Sequence, residues 1–131
     1  MEHHRRLCYN RSMTGDFVIL HHTDYGEDHF DVMFAVGGVL RTWQLLSDPR
    51  EIPVGDSISA SPLPDHRLAY LSYEGPVSRD RGFVERLVAG TYEADGWESE
   101  TICVELDAGP CCQTVSLHVD ESGTWRWQRQ A

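Results

Sequence analysis

The sequence predicts a mainly β, single-domain fold, an antiparallel β-barrel with long connecting loops and little helix. Short apolar runs recur at regular spacing along the 131 residues, and almost none of them has helical periodicity. Glycine- and proline-containing turns separate the runs, and Gly37-Gly38 is a strong hairpin signal. This combination is typical of antiparallel barrels and sandwiches.

The individual elements follow from the same patterns. Residues 1–15 show no periodicity and are predicted to be a loose N-terminal lead-in to one domain, 16–131. The predicted strands are 17–22, 29–36, 39–46, 66–73, 83–89, 91–94, 101–106, 114–119 and 124–128. Segment 47–65 contains four prolines and is predicted to be a long loop with one short strand near 57–60. Gly90 is predicted to be a turn between two strands.

The composition excludes several classes of protein. A formal net charge of -10 argues against non-specific binding of duplex nucleic acid, which requires a basic surface. No apolar run is long enough to span a membrane, and the N-terminus lacks the apolar core of a signal peptide. The four cysteines include no Cys-x-x-Cys pair. They are predicted to be reduced thiols in a cytoplasmic protein, without a zinc site.

Potential metal ligands are concentrated between His22 and Met33. Period-two alternation in the second predicted strand places His29 and Asp31 together, on the face opposite Phe30. His22 closes the preceding strand, and a hairpin would return it to the same pocket. Two imidazoles and a carboxylate would form a site for a divalent transition metal, and the alternative is a solvated loop with incidental histidines.

Several blocks along the chain occur together in one known family. The blocks are Phe17-Val18-Ile19, His22, His29-Phe30-Asp31, Gly38 to Trp43, Asp65 to Tyr70, Tyr73-Glu74-Gly75 and Gly90 to Glu93. In this order the chain resembles, over roughly residues 17–98, the 3′-phosphoesterase domain of bacterial DNA ligase D and the small stand-alone proteins that share it. Members of that family are compact β-barrels that use manganese. They remove a terminal ribonucleoside and then its 3′-phosphate from broken DNA during end-joining repair.

The resemblance implies a role for six residues. The metal ligands would be His22, His29 and Asp31, binding Mn²⁺, with Zn²⁺ or another transition metal left open. The catalytic, phosphate-contacting residues would be His66 and Tyr70, and Arg41 stands where the family has a basic residue. The implied partners are a nucleic-acid 3′ end and a DNA ligase or another end-joining protein.

The sequence also departs from the family pattern. Met33 stands where the family has an arginine, Ala35 where it has a glutamate, and the loop from His22 to His29 is about one residue longer. Loss of one preorganised charge-stabilising group typically lowers the rate by a factor on the order of 10²–10³. The expected phosphoesterase activity is therefore impaired.

Two alternatives to the phosphoesterase follow from these departures. One is a metal-binding barrel with weak or no catalysis, acting as an accessory or binding module, and Met33 favours it. The other is an iron-dependent oxygenase in which His29 and Asp31 form a facial triad with His66 or His118.

Overall fold

Ten antiparallel strands form one sheet in the computed structural model, which describes residues 13–109 and 111–131. The strands are β1 (Met13–Thr23), β2 (His29–Val36), β3 (Val39–Leu45), β4 (Ser57–Ser59), β5 (Ser61–His66), β6 (Gly75–Pro76), β7 (Phe83–Ala94), β8 (Thr101–Ala108), β9 (Cys111–Val119) and β10 (Trp125–Gln130). Helix in this part of the chain is limited to two short 3₁₀ helices, Pro49–Glu51 and Leu68–Leu71. The prediction of a mainly β, antiparallel fold with little helix is confirmed.

The order of the strands shows how the two ends of the sheet come close together. The order is β4-β10-β9-β8-β7-β1-β2-β3-β5, and β6 pairs with β7. The end strands β4 and β5 are not hydrogen-bonded to each other, so the sheet is not closed and the word barrel fits it only loosely. They are nevertheless consecutive in the chain, with Ala60 alone between them. One extended segment therefore pairs with β10 through β4 and with β3 through β5, which brings the two ends of the sheet together.

An aromatic core fills one face of the sheet. This inner cluster includes Phe17, Phe34, Trp43, Tyr92, Trp97 and Trp127, all at most 5% exposed. Phe34 lies at its centre, with ring centroids 5.0 Å from Trp97 and 5.3 Å from Tyr92. Offset and edge-to-face contacts of this kind stabilise cores beyond the burial of area alone.

A second apolar layer lies on the opposite face of β1 and β2. This outer cluster contains Val18, Leu20, Met33, Leu40 and Val84, with Tyr70, Leu71 and Val77 packed against it. The segment between β5 and β7, including the second 3₁₀ helix, therefore covers the outer face of the β1–β2 hairpin. Because β1 contributes Phe17 and Ile19 to the inner cluster and Val18 and Leu20 to the outer one, it is buried on both faces.

Two segments differ from their predictions. Segment 66–73, predicted as a strand, contains the 3₁₀ helix Leu68–Leu71. In segment 47–65 the predicted short strand near 57–60 is present as β4, but the segment also contains the other 3₁₀ helix and most of β5. Strand β1 begins at Met13, so 13–15 belong to the sheet, and the rest of the predicted lead-in lies outside the described residues.

Gly90 is not a turn, because β7 runs through it without interruption. A Cβ atom at Gly90 would lie 2.2 Å from the Asp107 carbonyl oxygen and 2.8 Å from Ala108 Cα. The glycine therefore permits a close approach of two backbones, and such an approach is a common reason for a glycine inside a strand.

The structure also bears on the prediction that the cysteines are reduced thiols. Cys103 is disulfide-bonded, so the prediction that all four cysteines are reduced thiols is wrong at this residue. Cys112 is a free, exposed thiol.

Neither described 3₁₀ helix is long and apolar enough to cross a membrane.

Candidate metal site and cleft

The β1–β2 hairpin brings the three predicted metal ligands together. In the register of the two strands, His22 lies directly opposite His29, and Asp31 lies opposite Leu20. Side chains of directly opposed residues share a face, as do residues two apart in one strand. The predicted placement of His29 and Asp31 on the face opposite Phe30 is confirmed, and the hairpin returns His22 to the same site.

The ligand atoms lie close together and away from solvent. His22 Nδ1 is 3.5 Å from Asp31 Oδ2, and His29 Nε2 is 3.4 Å from Asp31 Oδ1. One ligand atom from each residue can be chosen so that all three lie within 4.8 Å of one another. Asp31 is 2% exposed and His29 is 7% exposed, whereas His22 is half-buried.

Backbone carbonyls fix the orientation of both imidazoles. His22 Nε2 donates a hydrogen bond to the Arg81 carbonyl oxygen at 2.6 Å, and His29 Nδ1 donates one to the Glu27 carbonyl oxygen at 3.0 Å. Since a carbonyl oxygen only accepts, these outer nitrogens carry the hydrogens. The inner nitrogens, which face Asp31, are then the ones left to act as acceptors or metal ligands. A metal-binding histidine usually has its second ring nitrogen held in this way.

The three side chains perturb one another's ionisation. The Asp31 carboxylate raises the pKa of His22 and that of His29 above the ordinary value, although burial opposes both shifts. Burial alone would raise the pKa of Asp31, but its interactions with the two imidazoles outweigh burial and hold that pKa below its usual range. Positive charge between these groups is therefore favoured, whether protons or a metal ion supply it.

An unsatisfied oxygen indicates that the group suits a cation. Asp31 Oδ1 is buried and has no hydrogen-bond partner among the described residues, and His29 Nε2 lies 3.4 Å from it. A buried acceptor of this kind costs about 1–3 kcal/mol unless something satisfies it. Two imidazole nitrogens and a carboxylate oxygen are ordinary ligands for divalent transition metals. The group His22, His29 and Asp31 can therefore hold a metal ion.

The site opens into a cleft of about 440 Å³ between the hairpin and the segment that covers it. The lining residues with polar side chains are His22, Tyr25, His29, Asp31, Gln44, Asp65, His66, Tyr70 and Arg81. The structure thus brings His66 and Tyr70 into the same cleft as the three metal ligands. Leu20, Met33, Val77 and Val84 of the outer cluster supply apolar lining.

His66 is held with one ring nitrogen available. Its Nδ1 lies 2.9 Å from the Pro64 carbonyl oxygen and 3.2 Å from Thr42 Oγ1. Donation to the Pro64 carbonyl puts the hydrogen on Nδ1 and leaves Nε2 for a ligand in the cleft. The ring of Tyr70 meets the ring of His66 edge-on, with centroids 5.8 Å apart.

Arg41 is the predicted site residue that the structure does not bring to the cleft. It pairs with Phe34 across β2 and β3, which places it on the face of the inner cluster. Its guanidinium carbon lies 5.7 Å from the ring centroid of Trp43 and 5.9 Å from that of Trp97. Met33, in contrast, lines the cleft and is 1% exposed. An apolar side chain therefore lines the cleft at the position where the resemblance implies an arginine.

The sequence analysis missed two residues of the cleft that contact His22. Tyr25 is 49% exposed, and its ring stacks on His22 with centroids 5.7 Å apart. Arg81 supplies the carbonyl that orients His22, although it lies 59 residues further along the chain. No local pattern signals either contact, because each depends on how a loop folds back over the hairpin.

His118, which was considered as a third ligand of a facial triad, lies outside the cleft. It belongs to β9, and its Nδ1 is 2.9 Å from Ser116 Oγ. His66, the other residue considered, does line the cleft.

Comparison with known proteins does not assign the chain to a family. No protein-family model matches the sequence, and no curated protein is significantly similar to it.

Proposed function

We propose that this chain is a metal-dependent phosphoesterase-like protein that processes 3′ ends of nucleic acid in DNA repair, with manganese as its metal. The observation that carries the proposal is the orientation of His22 and His29. Both direct an inner nitrogen at the buried carboxylate of Asp31, while carbonyls hold their outer nitrogens. The resemblance of the surrounding blocks to the phosphoesterase domain of ligase D supports the choice of substrate.

The roles of the cleft residues follow from their chemistry. A divalent metal, when bound by His22, His29 and Asp31, supplies Lewis-acid stabilisation of charge on a phosphoryl oxygen. His66 offers Nε2 to the phosphate or to the leaving group, as a hydrogen-bond partner or proton carrier. The Tyr70 hydroxyl donates a hydrogen bond to a phosphate oxygen. A DNA ligase or another end-joining protein would then use the processed end.

Met33 favours a second candidate, a metal-binding module with weak or no catalysis. The side chain is buried in the outer cluster beside the metal ligands, where it cannot stabilise developing negative charge. In this case the metal site would serve binding or structure, and the nucleic-acid end would be held without being hydrolysed.

Hydrolysis of a 3′-phosphorylated primer by the manganese-loaded protein tests the proposal. We expect release of phosphate by the wild type and loss of that activity in His29→Ala, which removes a metal ligand. His118→Ala is the matched control, because it removes a histidine outside the cleft. Normal manganese binding without any 3′-end product would reject the phosphoesterase in favour of the binding module. Oxygen uptake dependent on ferrous iron would instead indicate an oxygenase.

Met33→Arg distinguishes a weak enzyme from a module that does not catalyse. A guanidinium at this position would lie beside Asp31, two residues away on the same face of β2. We expect faster phosphate release per folded molecule, together with a loss of about 3 kcal/mol in unfolding free energy, since a charge enters an apolar cluster. Unchanged turnover would show that Met33 does not limit the reaction.

A further inference from the structure

A tight turn between β6 and β7 borders the metal site. The Val77 amide donates to the Gly82 carbonyl oxygen at 2.8 Å, which closes the turn. Arg79 and Asp80, at its tip, have φ values of +63° and +54°. A turn with positive φ at both central residues has a twist that matches the twist of a β-hairpin. Glycine and asparagine are the usual residues in such a turn. The turn is thus compact, and it fixes the position of the next residue, Arg81.

Arg81 contacts the metal site through its backbone and also lines the cleft. Its carbonyl oxygen accepts the hydrogen bond from His22 Nε2. Its side chain is held by Ser78: Nε donates to the Ser78 carbonyl oxygen at 2.9 Å and Nη2 to the Ser78 hydroxyl at 3.1 Å. A guanidinium has five N–H donors, and Ser78 accepts from two of them. No other described residue accepts a hydrogen bond from this guanidinium, so the remaining donors can bind a ligand, and the anchored side chain loses less entropy when it binds one.

The charged residues that line the cleft favour a role for Arg81 in anion binding. Among the described residues that line it, Arg81 is the sole arginine, and the carboxylates are Asp31 and Asp65. Asp31 offsets part of the charge of a bound divalent ion. A phosphate dianion next to that ion would therefore gain from a further cation, and a planar guanidinium suits its oxygens.

We propose that Arg81 is the residue that binds the oxyanion of the substrate, a phosphate-type group held beside the metal. This inference rests on the proposed function, from which it takes the chemistry of the ligand. One residue then performs two tasks: its carbonyl orients a metal ligand, and its guanidinium binds the substrate of that metal.

Phosphate binding by Arg81→Gln and Arg79→Gln tests this proposal. Both variants remove one positive charge from the same exposed turn, but Arg79 does not line the cleft. With manganese bound, we expect Arg81→Gln to weaken the binding of inorganic phosphate by about 10- to 100-fold, measured by calorimetry. Arg79→Gln should weaken it by less than about threefold, which is the effect of an exposed charge. Manganese affinity should not change in either variant, because the Arg81 carbonyl is retained.

The outcomes separate this inference from the proposed function. Equal phosphate affinity in wild type and Arg81→Gln would overturn the role of Arg81 and leave the phosphoesterase proposal standing. Equal losses in both variants would show a general charge effect and would also overturn it, as would a parallel loss of manganese affinity. A wild type that binds manganese but no phosphate would reject both proposals. Ser78→Ala provides a second measure: phosphate should bind a few-fold more weakly, because the guanidinium loses the hydroxyl that holds it.

Discussion

Replacing Asp31 by asparagine removes the negative charge of the metal site and nearly preserves the shape of the side chain. In the wild type, free metal at a hundred times its dissociation constant should stabilise the folded state by about 2.7 kcal/mol. For a chain of 131 residues, each kcal/mol raises Tm by about 4 °C, so the expected metal-dependent shift is about 10 °C.

The asparagine variant should lose most of this shift. Removal of a group that only supports a ligand lowers metal affinity about 10- to 100-fold, and loss of the ligand charge itself should cost at least the upper value. At the same metal concentration the stabilisation then falls to about 0.4 kcal/mol, or about 2 °C. Thermal unfolding with and without manganese measures the difference for each variant, so any change in metal-free stability cancels.

Asp28→Asn is the matched control. Asp28 lies in the loop between the same two strands, and its side chain is 63% exposed. It should keep the full shift of about 10 °C, because it contributes no ligand. Retention of that shift by Asp31→Asn would refute the assignment of Asp31 as a ligand, and equal losses in both variants would point to non-specific binding by acidic residues.

Two further predictions concern pH and packing. The Asp31 carboxylate raises the pKa of His22 and that of His29, so protons compete with the metal ion for the two imidazoles. The affinity of the site for the metal should therefore fall as pH is lowered through those pKa values, by up to about tenfold per displaced proton per pH unit. Titrations between about pH 5 and pH 8 measure this, and an affinity independent of pH would exclude the imidazoles as ligands. Gly90→Ala should lower the unfolding free energy by about 2 kcal/mol in a denaturant titration, because the new methyl group meets the Asp107 carbonyl. A neutral or stabilising effect would mean that β7 and β8 can separate there without cost.

The metal ligands were predictable because they belong to a single hairpin. Alternation of apolar residues fixes which face of β2 carries His29 and Asp31, and a short polar loop returns the end of β1 to them. The same reasoning, applied across strands, places Arg41 opposite Phe34 and hence on the aromatic face. The resemblance to a family suggested this arginine as a site residue. Arg41 is not among the residues that line the cleft, although its Nε lies 3.9 Å from the carboxylate of Asp65, which does line it.

Other features depend on contacts that local patterns do not encode. Gly90 has the sequence signal of a turn, but its neighbour is the backbone of a distant strand. Segment 66–73 has a weak strand pattern, and its apolar residues Tyr70 and Leu71 instead cover the outer cluster as a helical turn. In each case a tertiary contact outweighs the local preference.

The continuous segment formed by β4 and β5 has a consequence for the folding of the chain. The metal ligands lie within ten residues, from His22 to Asp31, so their hairpin requires only short-range contacts. The last strand, β10, must instead find β4, and the pair Arg126 and Ser59 is 67 residues apart. Long-range pairing of this kind slows folding, because the entropy of loop closure is lost before the contacts form. The metal ligands should therefore meet early, even during synthesis, whereas the two ends of the sheet can join only after the C-terminal strand has been made.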